Sequence, residues 1–485
     1  LFRSLWNEGH ATQSPKAEWK YYMEEAEQSE DVKIQLAKIC SERTKITPEQ
    51  IKCIDPCMGS GHILCYMFDV LMQIYQQYGY SDRDAVASIV QNNIYGLDID
   101  ERAAQLAYFA VMMKACQYDK RFLTRNIQPK VYEIHETWNI DKSTVDYFVN
   151  GDATLEKSVE TLFEEFKFAK DYGSTINVSI SNFDPLYNRI EQIKKDNNLY
   201  ASSAIETLLP LINAAYLLSQ KYDAVITNPP YMGASGMNET LCNYVKKNYP
   251  DSKGDMSTVF MEKTLTMAKD YGFMAMINIP VWMFLSSYEK LRKNLLEQNN
   301  IINMAHNGRG IFGSDFGSVS FVFGKGYVKN YKGNYARLFM KQGAVDSVEQ
   351  KEEWFLKKVN RFTAIQEEFK KIPGMPVAYW VSKKFISIFS NKRMGDIAEV
   401  ITGMTIGDNN KYLRLWYEVI NISIALNKKN MSEIDLNKTK WIPYSKGGER
   451  RNWYGNYDFV VNWSKKENFN RSKTTLQHLY LREGI

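Results

Sequence analysis

Short apolar runs alternate with longer amphipathic runs along most of this chain of 485 residues. Runs such as CIDP, IYGLDID, YDAVITN and FMAMINIP have the length of buried strands, and the segments that follow them have apolar residues at helical spacing. This alternation is typical of a parallel sheet with helices on both faces. A last apolar run, GSVSFVFGKG (317–326), predicts one additional strand. The sequence therefore predicts an α/β fold.

Segments of other composition flank and interrupt this alternation. Residues 1–50 are charged and have helical spacing, which predicts a helical lead-in to a catalytic domain over 51–340. Within that domain the alternation stops, and a polar, Asn- and Lys-rich stretch at about 156–220 predicts a helical insertion. A segment rich in Lys and Glu, 341–375, predicts a helical linker to the region 376–485. The chain lacks an initiator Met and a polar C-terminal tail, so we expect a fragment.

Composition narrows the class of protein. The net charge is +5, but residues from 375 onward contain 18 Lys and Arg against 10 Asp and Glu, together with five of the ten Trp. Such a basic, aromatic region suits a polyanion such as nucleic acid, and the alternative is a solvated basic face over an aromatic core. No run of 18 apolar residues predicts a membrane span. Six cysteines without a C-x-x-C pair argue against a zinc site and favour a cytoplasmic location.

The first predicted strand ends in a glycine-containing bend, IDPCMGSGH (54–62), that opens a helix. Gly59 and Gly61 permit close approach of a ligand to free backbone N–H groups. The bend is neither a Walker loop nor a G-x-G-x-x-G dinucleotide motif. Asp55 before the glycines suits a ligand with a positive amino group, such as the methionyl end of S-adenosylmethionine. An ordinary turn between a strand and a helix is the alternative.

Acidic side chains follow two further predicted strands. Asp98 ends IYGLDID, where a carboxylate can accept hydrogen bonds from both ribose hydroxyls, and Ile99 would pack on an adenine ring. Asp100 and Glu101 are expected to begin the next helix as N-cap and first-turn acid. Asp152, in NGDATL, is predicted to follow another strand and to accept a hydrogen bond from the adenine amino group, unless it is an ordinary turn residue.

The run YDAVITN is followed by two prolines and a tyrosine. Asn228 would project its amide oxygen from the carboxyl edge of the sheet, where folds of this kind bind ligands. Pro229 and Pro230 stiffen the turn and leave the Pro229 carbonyl as a bare acceptor beside that oxygen. Two adjacent acceptors suit an NH₂ group, and Tyr231 offers a flat face on which a planar base can stack. Trp282 and Phe321 are candidates for the opposite face of that base, or else core aromatics.

The motifs DPCMGSG, YGLDID, GDAT and NPPY, in this order, resemble those of class I amino-methyltransferases of the N6-adenine DNA type. Further segments, among them TNPPYMG, YPDSKGD and AYWVSKKF, resemble the adenine methyltransferases of BREX phage-defence systems over nearly the whole chain. The resemblance implies a Rossmann-like sheet with a reversed last strand, S-adenosylmethionine as cofactor, and a C-terminal region that reads the DNA site. It also implies that Asn228, Pro229, Pro230 and Tyr231 hold the target base. The cofactor residues that it implies are Asp55, Pro56, Cys57, Met58, Gly59, Ser60, Gly61, Asp98, Ile99, Asp152 and Ala153.

The resemblance implies methylation of an adenine flipped out of double-stranded DNA, in a BREX or restriction-modification system with other defence proteins as possible partners and without a bound metal. Cytosine C5 chemistry needs a thiolate, and the only Pro-Cys pair, Pro56-Cys57, lies in the cofactor bend. Cytosine N4 methylation and a DNA-binding component with little activity of its own stay open. Protein glutamine methylation also uses NPPY but leaves the basic region without a role. The sequence carries no convincing nuclease signature.

Overall fold

The computed structural model describes residues 19–43, 46–196, 198–312, 316–392, 394–397, 406, 408–435, 437–447 and 455–463. The first 18 residues of the predicted lead-in and the last 22 of the predicted recognition region lie outside the described residues. The chain divides into two compact units, Leu1–Ser390 and Asn391–Ile485.

The first unit is built on a sheet of nine strands. In chain order they are β1 (Cys53–Asp55), β2 (Ile94–Asp98), β3 (Lys130–Glu133), β4 (Tyr222–Thr227), β5 (Ala268–Asn278), β6 (Asn299–Arg309), β7 (Gly317–Lys325), β8 (Lys332–Arg337) and β9 (Arg361–Ile365). The order across the sheet is β3-β2-β1-β4-β5-β7-β6-β8-β9.

Strand direction brings the ends of most strands to one edge of the sheet. Strands β3, β2, β1, β4 and β5 pair in parallel, and so do β6 and β8. Strand β7 runs antiparallel between β5 and β6, so β6 has the same direction as β5. The predicted strand over 317–326 and its reversed direction are therefore confirmed.

Helices cover both faces of this sheet. One face is packed by α1 (Glu30–Arg43), α2 (His62–Gln77), α3 (Asp82–Ser88) and α4 (Glu101–Tyr118). The other face holds α5 (Lys142–Val149), α6 (Ala153–Glu165), α7 (Ala169–Tyr172), α8 (Asp184–Ile193), α9 (Leu199–Ser219), α10 (Glu239–Asn248), α11 (Met256–Met267) and α12 (Glu289–Gln298). The unit also contains α13 (Val348–Leu356) and α14 (Lys383–Ile386).

The two cores use alternate residues of the same strands, because successive side chains in a strand point to opposite faces. In β1, Cys53 joins the core under α2 and α4, whereas Ile54 joins the core under α9. Both side chains are fully buried. The predicted α/β architecture with two covered faces is confirmed.

Helix α9 corrects part of the predicted insertion. It lies within 156–220 but carries the chain back from β3 to β4, and Leu208, Leu211 and Leu218 are buried in the core. In the described part of the chain it is also the one helix that is long and apolar enough to cross a membrane. Half of its most apolar 18-residue segment is buried inside the protein. A helix packed in this way is a core crossover helix.

The lead-in is only partly helical. The stretch from Trp19 to Ser29, which contains the apparent amphipathic pattern, has no helix, and α1 begins at Glu30. Gln28 instead hydrogen bonds with both the carbonyl and the N–H of Lys332, at 2.8 and 2.9 Å. These bonds join the segment before α1 to β8 through the side chain of Gln28.

The predicted helical linker over 341–375 is wrong in two respects. It contains α13 as expected, but positive φ angles at Lys358 and Asn360 end the helical part, and β9 then pairs antiparallel with β8 as the last strand of the sheet. The compact unit also continues to Ser390. The sequence did not predict this strand, because its five residues are too few to show a clear alternation among the surrounding Lys and Glu.

The second unit contains a small antiparallel sheet. Its order is β10-β12-β11, built from β10 (Leu413–Leu415), β11 (Trp441–Tyr444) and β12 (Phe459–Asn462), and a short helix α15 (Asn409–Tyr412) precedes β10. Buried residues of these strands, among them Leu413, Ile442 and Val461, form its core. This unit coincides with most of the basic, aromatic region of the sequence.

The boundary after Ser390 can be tested by truncation. Val377 and Tyr379 are buried in the core of the first unit, and the ring of Tyr379 stacks on Tyr335 at 4.8 Å. We expect a chain that ends at 375 to be about 3–6 kcal/mol less stable than one that ends at 390, because two large buried side chains are removed. Urea unfolding of both truncated chains measures this difference. Equal midpoints would place the boundary at 375 instead.

Candidate active site

The bend after β1 is shaped by two glycines in left-handed conformation. Gly61 has φ of 85°, and a Cβ there would lie 2.9 Å from the Cα of Ala107 in α4. Gly59 has φ of 52°, and a Cβ there would meet nothing within 4 Å. Gly61 therefore permits close packing of the bend against α4, while Gly59 faces open space. This is the geometry expected of a bend that a ligand approaches.

Asp55 is fully buried at the start of this bend. Its Oδ1 accepts a hydrogen bond from the N–H of Cys57 at 3.0 Å, but its Oδ2 has no partner in the described part of the chain. Burial raises the pKa of Asp55 to about 7, although the nearby Thr227 hydroxyl opposes this shift. The Thr227 hydroxyl is itself buried without a hydrogen bond of normal geometry. Two unsatisfied polar groups side by side are a suitable site for a cationic or N–H donor ligand.

Asp98 lies beside the bend as predicted. Its Oδ2 accepts a hydrogen bond from the N–H of Gly59 at 2.8 Å, and its Oδ1 accepts one from the N–H of Asp100 at 2.9 Å. Ile99 keeps 45% of its surface exposed although it is a large apolar residue. Asp100 caps α4 by accepting from the N–H of Ala103, which confirms its predicted role. The end of β2 thus presents the carboxylate of Asp98 and the exposed side chain of Ile99 next to the glycine bend.

Asp152 does not follow a strand, so this part of the prediction is wrong. It follows α5, and the spacing of Val145, Phe148 and Val149 is that of a helix face packed on the core. The carboxylate accepts from the N–H groups of Thr154 and Leu155 as the N-cap of α6. Ala153 is simply the first residue of that helix. In the described residues all hydrogen bonds of Asp152 lie in its own turn, which favours the structural role that the sequence left open.

The NPPY turn follows β4, beside the bend. In the parallel pairing of β1 with β4, Cys53 is opposite Ala224 and Ile54 is opposite Val225, so the residues after both strands are neighbours. Asn228 is exposed at this edge and Pro229 is buried. The hydroxyl of Tyr231 donates a hydrogen bond to Oδ1 of Asn228 at 2.7 Å. Because an amide oxygen has two lone pairs, the second stays available to a substrate.

The loop after Tyr231 is tied to the start of α11. The N–H of Met256 donates to the carbonyl of Met232 at 2.9 Å, and the N–H of Ala234 donates to the carbonyl of Gly254 at 3.1 Å. A Cβ on Gly254 would lie 2.6 Å from the hydroxyl of Tyr288, so no larger residue fits there without movement. These hydrogen bonds hold the residues that follow the NPPY turn against the start of α11.

The aromatic partner of Tyr231 differs from both sequence candidates. Trp282 and Phe321 are buried and contact each other at 5.3 Å in the core under α11 and α12. Phe316 lies instead at 5.5 Å from Tyr231, with the ring planes at 66° and 43% of its surface exposed. It precedes β7, and only the reversal of that strand brings it to this edge. The sequence therefore did not predict the contact between Phe316 and Tyr231.

A second group that the sequence did not reveal is the segment 170–177. The hydroxyl of Ser174 donates to the carbonyl of Pro56 at 2.5 Å, and the ammonium of Lys170 donates to the carbonyl of Ile99. Gly173, with φ of 54°, lies so that a Cβ would be 3.2 Å from the side chain of Ile99. The only local signal was a Gly-Ser-Thr turn within a polar stretch, which is common in loops.

The described residues at this edge include neither a reactive thiolate nor a cluster of metal-ligating side chains. Burial raises the pKa of the Cys57 thiol well above its usual range, so the thiol stays protonated. Within the described residues no group of three or more His, Cys, Asp or Glu is placed to hold a metal ion. This edge of the sheet presents oxygen acceptors, a half-buried glycine bend and two aromatic rings.

A Rossmann-like sheet with a reversed strand, a glycine bend after β1 and an NPPY turn after β4 are the features that the resemblance to class I amino-methyltransferases implied. Residues 92–312 match the family model described as Eco57I restriction-modification methylase. The chain is 37% identical to the adenine-specific methyltransferase BrxX of Escherichia coli O9:H4 (strain HS), over 99% of this chain and 41% of BrxX. It is 38% identical to the adenine-specific methyltransferase PglX of Lacticaseibacillus casei (strain Zhang), over 92% of this chain and 37% of PglX.

These matches confirm the resemblance to the BREX-type adenine-specific DNA methyltransferases, and the chain is related to a part of them that spans less than half of their length. Among solved structures, the Type ISP restriction-modification enzyme LlaGI in complex with a DNA substrate mimic is similar, with a TM-score of 0.44 and 12% identity. That similarity covers 72% of this chain and 26% of LlaGI, and at this TM-score it bears on neither the site nor the activity.

The unsatisfied carboxyl group of Asp55 has a consequence for stability. The pKa of Asp55 in the folded protein is about 7, above the usual 3.8, so the folded state holds a proton that the unfolded chain has lost between these values. The contribution of Asp55 to stability is therefore expected to fall as pH rises from about 4 to 7, and Asp55→Asn should remove this contribution. Above pH 7 the variant should be more stable by about 1–4 kcal/mol.

Thermal or urea unfolding of both proteins between pH 4 and 8.5 measures this effect. The matched control is Asp152→Asn, which makes the same substitution at an exposed helix cap. A constant difference between Asp55→Asn and the unchanged protein would contradict the raised pKa.

Proposed function

We propose that this chain transfers a methyl group from S-adenosylmethionine to the N6 amine of an adenine in double-stranded DNA, as part of a phage-defence system. The observation that carries the proposal is the pair of strand ends at one edge, with the glycine bend, half-buried at Gly59 and Ser60, after β1 and the exposed Asn228 after β4. The similarity to adenine-specific methyltransferases supports the choice of base.

The residues after β1 and β2 fit the proposed cofactor. S-adenosylmethionine, when bound, supplies a methyl group on a positively charged sulfonium. Gly59 leaves room beside the bend, and the unpartnered Oδ2 of Asp55 suits a positively charged amino group. Asp98 would accept from the ribose hydroxyls in addition to the backbone N–H groups that it now binds, and the exposed Ile99 would pack on the adenine ring.

The residues of the NPPY turn would activate the target amine by position. The lone pair of an exocyclic amine is delocalised into the base, so the nitrogen is a poor nucleophile. Hydrogen bonds from its two N–H groups to Oδ1 of Asn228 and to the Pro229 carbonyl favour a pyramidal nitrogen whose lone pair is directed at the methyl group. The Tyr231 hydroxyl holds Oδ1 in place, so little reorganisation is needed when the base arrives.

Two rings would hold the base outside the duplex. Tyr231 offers its face at the turn, and Phe316, just before the strand that runs in the reverse direction, contacts the Tyr231 ring with centroids 5.5 Å apart. Extruding a base costs a few kcal/mol, which stacking and hydrogen bonding offset. After transfer the methylated nitrogen carries a positive charge, and it loses one of its two protons to water at this edge.

The second unit would supply part of the DNA contact. Trp416, Tyr417 and Tyr457 each expose half or more of their surface, and lysines lie over rings at Tyr412 and Trp441. Exposed aromatic faces combined with cations are suited to a polyanion with stacked bases. A cytoplasmic location follows from DNA as substrate and belongs to the same proposal.

The central test is Asn228→Ala. Removing one of two transition-state hydrogen bonds should lower methyl transfer by at least about 100-fold, while S-adenosylmethionine still binds. Transfer of labelled methyl groups to bacterial DNA, followed by identification of the modified base, measures both the rate and the choice between adenine and cytosine. Asn294→Ala, at an exposed asparagine on α12, is the matched control and should be fully active. Unchanged transfer by Asn228→Ala would overturn the mechanism, and DNA binding without any transfer by the unchanged chain would favour a DNA-binding role.

The role of the second unit is tested by removing residues 391–485. Its loss should weaken DNA binding and reduce the slope of log affinity against log salt, because fewer phosphates are neutralised. Fluorescence anisotropy with a labelled duplex at several salt concentrations measures this slope. The same slope in both proteins would assign the phosphate contacts to the first unit alone.

A further inference from the structure

A buried stretch of irregular backbone lies between the cofactor bend and the helices that follow the NPPY turn. We call residues 170–177 the strap, which begins with the last three residues of α7 and continues as irregular backbone. Gly173, Ser174, Thr175 and Ile176 are all buried, and the 3-10 turn Gly173–Thr175 is their only regular structure. Buried backbone that belongs to no helix or sheet must find hydrogen-bond partners elsewhere. The identity of those partners shows what the strap connects.

On one side the strap contacts the residues that follow β1 and β2. Ser174 donates to the carbonyl of Pro56, in the glycine bend, and this bond is buried. Lys170 donates to the carbonyl of Ile99 and also pairs with Glu133 at the end of β3. Gly173 stands against the side chain of Ile99. The strap therefore forms one wall beside the residues that would hold the cofactor.

On the other side, two tyrosines and a lysine hold the strap. The hydroxyls of Tyr244 and Tyr249 both donate to the carbonyl of Thr175, at 2.9 and 2.7 Å. The ammonium of Lys263, in α11, donates to the carbonyl of Ile176 at 2.5 Å and to Oδ1 of Asn177 at 3.1 Å. These three side chains belong to α10, to the residue that follows it, and to α11.

Lys263 is unusual because it keeps an amine in the protein interior. Its side chain is almost fully buried, and in the described part of the chain it forms no ion pair. Burial lowers the pKa of Lys263 to about 7. A buried amine without a paired carboxylate costs stability, so its hydrogen bonds to the strap are its evident contribution.

The strap is also linked to the loop that follows the NPPY turn. Asn238, the N-cap of α10, donates to Oδ1 of Asp171 at 2.7 Å. The ring of Tyr172 stacks on that of Tyr244, with centroids 3.9 Å apart and planes at 16°. The same element that borders the cofactor residues is thus fixed to the helix that begins shortly after Tyr231.

We propose that Tyr249 and Lys263 are positioning residues, which hold the strap against Pro56 and Ile99 and thereby keep the cofactor pocket in its binding shape. This inference rests on the proposed function, since the pocket is the one assigned to S-adenosylmethionine. Neither residue touches the reacting atoms. Their loss therefore acts on affinity for S-adenosylmethionine and leaves the transfer step itself unchanged.

The variants Lys263→Met and Tyr249→Phe in the full chain test this role. Lys263→Met leaves the buried carbonyl of Ile176 without its side-chain donor, and we expect S-adenosylmethionine to bind about 10-fold more weakly. Tyr249→Phe leaves Tyr244 on the Thr175 carbonyl, and we expect about 3-fold weaker binding. Isothermal titration without DNA measures the Kd. With DNA and saturating S-adenosylmethionine, kcat should stay within about twofold of the unchanged chain while KM rises.

Matched controls separate positioning from general loss of stability. Tyr222→Phe removes the hydroxyl of an equally buried tyrosine that donates to the carbonyl of Leu217, outside the strap. Lys221→Met removes a lysine that donates to the carbonyl of Thr266 at the end of α11. Both controls should bind S-adenosylmethionine normally. Hydrogen exchange of the strap amides should accelerate in Lys263→Met and Tyr249→Phe and not in the controls.

Each outcome is decisive. Unchanged Kd in both strap variants, or equal weakening in Tyr222→Phe, would overturn the positioning role and leave the proposed function intact. Absence of S-adenosylmethionine binding by the unchanged chain would overturn the proposed function and this inference together. Binding without methyl transfer would refute the proposed reaction, while the Kd values of the variants would still decide the role of the strap.

Discussion

The parallel pairing of β1 with β4 is the constraint on which the candidate site depends. It sets Cys53 opposite Ala224, so the glycine bend and the NPPY turn begin side by side although they are far apart in the sequence. Neighbouring strands lie about 4.8 Å apart. A ligand in the bend and a base on the turn are therefore within reach of each other without any motion of the sheet. The parallel direction of the strands also brings their carboxyl ends to one edge of the sheet.

The same residue type takes different roles at that edge because its surroundings differ. Asp55 is buried and has an oxygen without a partner, so burial raises its pKa. Asp98 is partly exposed, and both of its oxygens accept backbone N–H groups. Asp152 is exposed, and its carboxylate caps a helix. A carboxylate that a cationic ligand can satisfy is costly in the free protein, so the site gives up stability for binding.

The strap shows how buried irregular structure can be stabilised by side chains in place of a sheet or helix. Tyr244, Tyr249 and Lys263 supply the donors that its carbonyls need, and all three lie on or beside α10 and α11. These helices follow the NPPY turn directly. The walls of the two halves of the site are consequently fixed to each other through hydrogen bonds and one aromatic stack, and not only through the sheet.

The sequence by itself determined the alternation of strands and helices, the bend at Asp55–Gly61, the carboxylate at Asp98 and the NPPY turn. These features depend on local rules: apolar runs of strand length, glycines that allow positive φ and prolines that stop a strand. Only the tertiary structure decided that Asp152 caps a helix, that β9 extends the sheet, that Phe316 faces Tyr231 and that the strap borders the bend. The reason is that burial and pairing are set by residues distant in the chain, whereas periodicity and turn chemistry report only on neighbours.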